Sequence, residues 1–202
     1  MKKFTLFTLL SVATLCLIGM TTNCSRIQSR PISDFNKAKY LGTWNEIGRI
    51  DNWFESGLTN VTATYTANHH GYIDVLNMGY NPKTKKWKET KAHAYSTNES
   101  GIFKVYFVPF IGGNYEVICI DPEYQVALVS GGDPDYLWIL ARQETISKAQ
   151  LARHIKKAHA LGFDTSRLIF PNNPELAIEA KKIIKKLPPR ETLDPNKISC
   201  GS

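Results

Sequence analysis

Eight short segments between residues 43 and 142 alternate apolar and polar side chains, and turn residues separate them at intervals of about ten residues. The turns are rich in Gly, Pro, Asn and Asp, which supply the backbone angles that tight turns need. No helical pattern interrupts the segments, so consecutive strands are expected to pair as an antiparallel meander. Eight strands closed on themselves form a barrel that holds one small ligand. The predicted strands are 43–50, 58–67, 72–79, 87–97, 102–108, 114–120, 124–130 and 136–142.

Several of these strands are apolar on both faces. Phe103, Val105 and Phe107 alternate with Lys104 and Tyr106, and both faces of 136–142 carry large apolar side chains. A cup with an apolar lining, whose outer face is partly covered by a helix, requires such two-faced strands. The pattern therefore favours an all-β, eight-stranded antiparallel up-and-down barrel with a flanking α-helix.

The flanking helix is predicted directly after the last strand. Ser147 and Gln150 form a capping box, and Gly162 is placed to end the helix. The following segment, from Phe163 to Phe170, is predicted as one more short strand.

A C-terminal amphipathic helix is predicted after Asn173, with Pro174 in its first position. Its apolar residues share one face, and its lysines crowd the other. A basic amphipathic helix can lie on an anionic membrane or dock on its own domain, and the sequence leaves both open.

The N-terminus has the composition of an export signal. Met1-Lys2-Lys3 precedes an apolar run from residue 4 to 20, which is shorter than a membrane span. We predict a signal peptide over 1–23, lipid attachment at Cys24, a lipidated tether over 24–36, a barrel domain over 37–171 and an extension over 172–202. The residues before Cys24 match a lipobox poorly, so cleavage near Ser25 or Arg26 without lipidation stays open.

Net charge bears on the binding partners of the protein, and the cysteines bear on a disulfide bond. The formal net charge is +7, and the basic residues do not alternate with aromatic residues as in a nucleic-acid-binding stripe, so no nucleic acid is predicted. Attraction to an anionic lipid surface and simple solubility both account for the charge. Cys119 and Cys200 are candidates for a disulfide bond, the alternative being a buried thiol and a free terminal thiol.

The sequence lacks the motifs of common enzymes. It contains no Gly-x-Ser-x-Gly elbow, no phosphate loop and no recognisable Cys/His pair. His69 and His70 fall in a predicted turn, and the other histidines have no metal-ligand spacing. We therefore predict no catalytic residue, no metal and no cofactor.

Several motifs in this order resemble bacterial outer-membrane lipocalins of the Blc type. The resemblance covers about residues 33–171 and rests on these stretches: Tyr40-Leu-Gly-Thr-Trp44-x-Glu46-Ile-x-Arg49, Phe54-Glu55-x-Gly57-Leu58, Val61-Thr-Ala-x-Tyr65, Asn77-x-Gly79-Tyr80-Asn81, Lys104-Val-x-Phe107, Pro109-Phe-x-Gly112-Gly113, Asp135-Tyr136-Leu-Trp138-Ile-Leu-x-Arg142 and Gly162-Phe163-Asp164. Residues 172–202 have no counterpart in it.

The resemblance implies structural roles for five residues. Gly42 and Trp44 would lie at the closed end of the barrel, with the Arg142 guanidinium over the Trp44 ring. Asp135 and Tyr136 would occupy a loop near that closed end. The candidates for lining the ligand cavity are Trp53, Phe54, Trp87, Tyr95, Phe107, Tyr115 and Trp138.

The implied function is binding rather than catalysis. The resemblance implies storage or transport of lysophospholipids or fatty acids for membrane maintenance, at the periplasmic side of the outer membrane, with a lipid anchor. The family includes dimers, so the sequence leaves a monomer and a homodimer both open. Arg49 or Lys104 would hold a phosphate if the fold places them at the mouth. Two alternatives remain: a lipocalin-fold enzyme acting on a hydrophobic small molecule, and an envelope interaction module using the basic C-terminal helix.

Overall fold

The computed structural model describes residues 31–108 and 111–201, and a closed barrel of eight antiparallel strands dominates them. The predicted signal peptide and Cys24 lie outside the described residues. The strands are β1 Gly42–Ile50, β2 Thr59–Ala67, β3 Ile73–Asn81, β4 Lys86–Ser96, β5 Ile102–Val108, β6 Ile111–Ile120, β7 Val126–Ser130 and β8 Leu137–Ala141.

Strand β1 closes the barrel. It pairs with β2 on one side, where Trp44 is opposite Ala63, and with β8 on the other, where Glu46 is opposite Leu140. Every pairing among β2 to β8 joins strands that are consecutive in sequence. The predicted fold class, an up-and-down barrel with a flanking helix and a C-terminal helix, is confirmed.

The meander assigns each connection to one of two ends. Because successive strands run in opposite directions, the β1–β2, β3–β4 and β7–β8 connections lie at one end of the barrel. The β2–β3, β4–β5 and β6–β7 connections lie at the other. The short helix α1, Lys37–Tyr40, leads into β1 at this second end.

The flanking helix α2, Lys148–Leu161, begins with the predicted capping box between Ser147 and Gln150 and ends at Gly162, whose φ is +104°. Its buried face packs on the outer side of the barrel together with apolar residues of β1, β6, β7 and β8. The segment after it is not the strand predicted over 163–170. Asp164 caps a 3-10 turn over Thr165–Arg167, which leaves only β9, Leu168–Ile169, to pair with β1.

The C-terminal extension folds back onto α2. Helix α3, Pro174–Lys185, buries Leu176 and Ala180 in the cluster that lies beneath α2. A disulfide joins Cys119 of β6 to Cys200, with their Cα atoms 5.8 Å apart. Lys157 of α2 donates to two carbonyl oxygens of the tail. The helix predicted to face either a membrane or its own domain therefore has its apolar face docked. Within the described ranges, no helix is long and apolar enough to cross a membrane.

Candidate functional site

The closed end of the barrel is built around Trp44. Its side chain is fully buried, and its Nε1 donates to the carbonyl oxygen of Tyr40 at 2.8 Å. The Arg142 guanidinium carbon lies 3.9 Å from the centroid of the Trp44 ring, and its nitrogens donate to the backbone carbonyls of Lys39, Leu41 and Thr43. Gly42 has a φ of +97°, and a Cβ there would lie 3.3 Å from Arg142 Nη1. The buried Trp44 ring and the Arg142 guanidinium therefore fill this end of the barrel.

Asp135 and Tyr136 lie at the opposite end from the one that the resemblance implied. They precede β8 in the β7–β8 connection, where Asp135 pairs with Arg167 at 2.5 Å. The closed-end loop instead carries Asp121 and Tyr124: Asp121 accepts from the backbone of Val126, and Tyr124 Oη accepts from the Asn36 N–H at 2.7 Å. Because successive strands run in opposite directions, the β6–β7 loop lies at the closed end and the β7–β8 loop at the open end.

A cavity of about 540 Å³ occupies the barrel interior and opens at the other end. This volume is within the roughly 300–1,000 Å³ of small-molecule sites. Its wall is mainly apolar and aromatic, with a few polar groups, and includes Glu46, Trp53, Phe54, Glu55, Leu58, Val61, Ala63, Tyr65, Val75, Asn77, Met78, Lys88, Thr90, Val105, Phe107, Gly113, Tyr115, Tyr136, Trp138 and Leu140.

Four aromatic rings surround the mouth of the cavity. The centroid of the Phe54 ring, in the β1–β2 connection, lies 6.0 Å from the ring centroid of Tyr136, 6.4 Å from that of Trp138 and 6.4 Å from that of Phe107. Trp138 Nε1 donates to Glu55 Oε2 at 2.9 Å, which ties the connection to β8. Phe54 is therefore held among rings from two other parts of the barrel, and the mouth is apolar.

The predicted lining residues divide by strand face. Trp53, Phe54, Phe107, Tyr115 and Trp138 border the cavity. Trp87 and Tyr95 do not, and the prediction is wrong for both: they are 57% and 43% exposed and contact other outer-face aromatic rings. Side chains alternate along a strand, and the inward positions of β4 are occupied by Lys88, Thr90, Ala92 and Ala94.

Three tyrosine hydroxyls form a chain at the bottom of the cavity. Tyr115 Oη lies 2.5 Å from Tyr40 Oη and 2.7 Å from Tyr65 Oη. Burial raises the pKa of all three phenols above the ordinary value. They stay neutral at physiological pH and satisfy one another, so the bottom of the cavity carries no charge.

Glu46 is a buried carboxyl group in the cavity wall. Its Oε1 accepts from Arg49 Nη1 at 2.5 Å, whereas its Oε2 is buried and has no hydrogen-bond partner among the residues that the structure describes. Burial, reinforced by the negative charge of Glu55, raises the pKa of Glu46 to about 8, against the opposing attraction of Arg49. One oxygen of this carboxyl group is thus available to a ligand in the cavity.

The cation at the mouth is neither of the two that sequence reasoning considered. Arg49 is buried and donates to Glu46, Asp51 and the carbonyl oxygen of Glu55, and Lys104 bonds Asn114 on the outer face. Lys88 lines the cavity instead, and its Nζ donates to the Phe54 carbonyl at 2.8 Å. An ammonium group has three donors, so two remain for an anionic head group. Lys88 would have been identified as the cation of the cavity if the inward-facing and outward-facing residues of β4 had been assigned correctly.

No group of three or more His, Cys, Asp or Glu residues in the described part of the chain could hold a metal ion. His93 is hydrogen-bonded to Asp74 on the surface at 2.9 Å, and His154 is buried against the carbonyl of Gln150.

Comparison with known proteins matches this architecture to one family. The family model described as a lipocalin-like domain matches residues 35–173. The outer membrane lipoprotein Blc of Citrobacter freundii is 45% identical over 146 residues, which cover 71% of this chain and 82% of that protein. Blc of Escherichia coli K12 is 43% identical over the same length, with the same coverage.

Solved structures share the fold at low identity. The cockroach allergen Per a 4 superposes with a TM-score of 0.58 at 21% identity, covering 70% of this chain and 90% of the allergen. The structure and the family match agree on a lipocalin barrel, because the barrel is closed and its closed end holds the Trp44–Arg142 contact. The protein is therefore a binder of hydrophobic ligands of the lipocalin type. The chain belongs to the lipocalin family.

Proposed function

We propose that this protein binds one single-chain lipid, a lysophospholipid or a fatty acid, and stores or carries it in the bacterial envelope for membrane maintenance. The observation that carries the proposal is the cavity of about 540 Å³ with an aromatic mouth. Each buried methylene contributes about 0.8 kcal/mol, so about ten of them supply roughly 8 kcal/mol before the costs of binding. A micromolar dissociation constant corresponds to about 8 kcal/mol net, so further buried methylenes and the contacts of the head group must offset those costs.

The polar groups of the cavity favour a head group at the mouth. Lys88 lies beside the aromatic mouth, where a phosphate or carboxylate can keep contact with water. The acyl chain then passes Phe54 and Trp138 and ends near the uncharged tyrosines. A lipid in the reverse orientation would bury its head group against a closed end whose polar groups are already bonded.

The envelope location rests on the relatives and on the N-terminal sequence. The relatives at 43% and 45% identity are named outer membrane lipoproteins. The same location is proposed here: a signal peptide over 1–23, acylation of Cys24, and a barrel held at the periplasmic face of the outer membrane. After a high-salt wash, which screens attraction between basic surfaces and anionic lipids, a Cys24→Ser variant is expected to leave the membrane fraction, and its retention after that wash would contradict this anchor.

The experiment that tests ligand binding uses a variant that obstructs the cavity. A Cβ built on Gly113, which lines the cavity, would meet no atom within 4 Å, so a larger side chain there can extend into the empty space. We expect delipidated protein to bind one lysophospholipid or fatty acid at micromolar concentration in native mass spectrometry. Gly113→Leu should weaken binding about tenfold or more, and Gly113→Ala should change it little.

Three outcomes separate the alternatives. Failure of the delipidated protein to retain any lipid, or equal affinity of the two Gly113 variants, would contradict the proposal. Recovery of a chemically altered ligand would favour the lipocalin-fold enzyme. A homodimer, the remaining partner that the sequence leaves open, would appear in sedimentation velocity as twice the monomer mass.

A further inference from the structure

Two tryptophans at the open end of the barrel are exposed. Trp53, in the β1–β2 connection, is 82% exposed, and Trp87, at the second position of β4, is 57% exposed. Large indole rings rarely remain in water without a partner, and tryptophan is enriched where proteins meet the membrane interface.

The two tryptophans belong to neighbouring segments. The hydrogen bond from Lys88 Nζ to the Phe54 carbonyl joins the residue after Trp87 to the residue after Trp53. The bond fixes the β1–β2 connection against the start of β4. Both indole rings therefore flank the same sector of the mouth.

Three exposed lysines lie beside these rings. Lys83, Lys85 and Lys86 occupy the β3–β4 turn and the start of β4, and within the described residues none of them forms an ion pair. We call Trp53, Trp87, Lys83, Lys85 and Lys86 the basic rim.

The acidic groups of the open end are mostly occupied. Asp51 is paired with Arg49, and Asp135 with Arg167. Glu55 accepts from Asn52 and Trp138, and Glu89 is paired with Lys91. Of the remaining acids, Asp133 accepts a backbone hydrogen bond from Asp135. Because Glu55 and Asp133 accept from uncharged donors, they offset two positive charges, whereas Lys83, Lys85, Lys86 and Lys88 supply four, so the net charge on this side of the mouth is positive.

We propose that the basic rim docks the mouth of the barrel onto an anionic phospholipid surface, with the indole rings at the headgroup level and the lysines among the phosphates. The charge of the rim complements such a surface, and each lysine near it contributes to attraction that salt screens. This inference goes beyond the proposed ligand binding, because docking needs no lipid inside the cavity.

Helix α3 is the competing basic surface, and the structure weakens its case. Its lysines and Ile178 are exposed, but Leu176 and Ala180 are buried in the cluster beneath α2, and Ile183 and Ile184 pack against that cluster. The basic rim combines charge with exposed rings, whereas α3 offers mainly charge.

The test measures partitioning of the chain from Ser25 onward, which keeps all described residues and lacks the acyl anchor. Vesicles of phosphatidylcholine with one third phosphatidylglycerol are compared with pure phosphatidylcholine in a flotation assay. Replacing Lys83, Lys85 and Lys86 by Gln should lower partitioning to the anionic vesicles roughly 100-fold. Trp53→Ala should lower it roughly tenfold. Lys88 is left unchanged because it lines the cavity.

The matched control removes three charges from the other basic surface. Lys181, Lys185 and Lys186 of the C-terminal helix region, each exposed, are replaced by Gln. We expect this variant to lose less than threefold, as a general effect of net charge. An equal loss in both triple variants, or equal binding to neutral and anionic vesicles, overturns the proposal.

Two further measurements keep the proposals separate. Titration of lysophospholipid without vesicles should be unchanged in the rim triple variant, so a failure of ligand binding is visible independently of docking. Sedimentation velocity without vesicles tests whether a second copy covers the rings. A dimer that Trp53→Ala dissociates would overturn the membrane assignment.

Discussion

The two ends of the barrel use similar residues to opposite effect. At the closed end, Trp44 is fully buried, its Nε1 is bonded and Arg142 covers its ring. At the open end, Trp53 is 82% exposed. The closed end is completed by groups of its own chain, whereas the open end leaves apolar and charged groups for a partner. The closed end therefore stabilises the barrel, and the open end is where a ligand enters.

The polar groups inside the barrel also differ in whether their hydrogen bonds are satisfied within the protein. The tyrosine hydroxyls near the closed end satisfy one another, but Glu46 Oε2 is buried without a hydrogen-bond partner in the described part of the chain. A buried polar group without a hydrogen bond lowers stability. Such a group is expected where a ligand binds rather than where the fold is held together.

The largest expected difference is between the two tryptophans. Trp44→Ala removes a fully buried ring and should lower the free energy of unfolding by about 3–5 kcal/mol. Trp53→Ala should change it by less than about 0.5 kcal/mol. Urea denaturation measures both, and equal losses would contradict the division into a structural and a functional end.

The next comparison is between two arginines. Arg142→Met removes the cation–π contact and leaves several backbone carbonyls without their donor, at a cost of about 2 kcal/mol. Arg167→Met removes only the exposed pair with Asp135 at the open end, and should cost at most about 0.5 kcal/mol. A larger loss at Arg167 than at Arg142 in urea denaturation would reverse the comparison.

The pH dependence of stability tests Glu46. Because its pKa is raised to about 8 in the folded state, the folded protein keeps a proton that the unfolded chain loses near pH 4.5. This group therefore stabilises the fold at low pH, and its contribution falls as pH rises towards 8, by at most about 1.4 kcal/mol per pH unit. Glu46→Gln should remove that slope.

The measurement for Glu46 is urea denaturation of both proteins between pH 5 and 8. The stability of Glu46→Gln relative to the unsubstituted protein should rise steadily across this range. A difference that does not vary with pH would mean that Arg49 keeps the Glu46 carboxylate ionised throughout, and that Oε2 meets a ligand as an acceptor only.

The smallest expected effect concerns the tie between β8 and the β1–β2 connection. Trp138→Phe keeps an aromatic ring at the mouth but removes the hydrogen bond to Glu55, which should cost about 1 kcal/mol. Trp87→Phe, on the exposed outer face, is the matched control and should be neutral in urea denaturation. Equal effects of the two substitutions would show that the bond to Glu55 contributes nothing.

Local patterns were sufficient for the strands and helices. The predicted 102–108 coincides with β5, and Ser147 and Gly162 bound α2 as their cap chemistry indicated. The strand predicted over 163–170 is wrong for most of its length, because Asp164 caps a 3-10 turn over Thr165–Arg167 and only Leu168 and Ile169 pair as a strand. Apolar composition alone does not distinguish a short strand from a 3-10 turn followed by two paired residues.

The site was less predictable because it depends on the direction and face of each strand. The loops at 121–124 and 133–136 both read Asp-Pro-acid-Tyr, so the motif fits either end of the barrel. Trp87 and Lys88 are adjacent, and their composition does not say which of them points inward. The β4 register turns Lys88 to the cavity and Trp87 to solvent.

Alternation and turn chemistry act over a few residues, so they are sufficient to predict one closed meander with a capped helix. The cavity that Glu46 and Lys88 share with Phe54, and the position of Trp53 and Trp87 around one sector of its mouth, depend on contacts between distant parts of the chain. Barrel closure brings together residues that are distant in sequence, and a shift of one residue in register exchanges the lining for the outer surface.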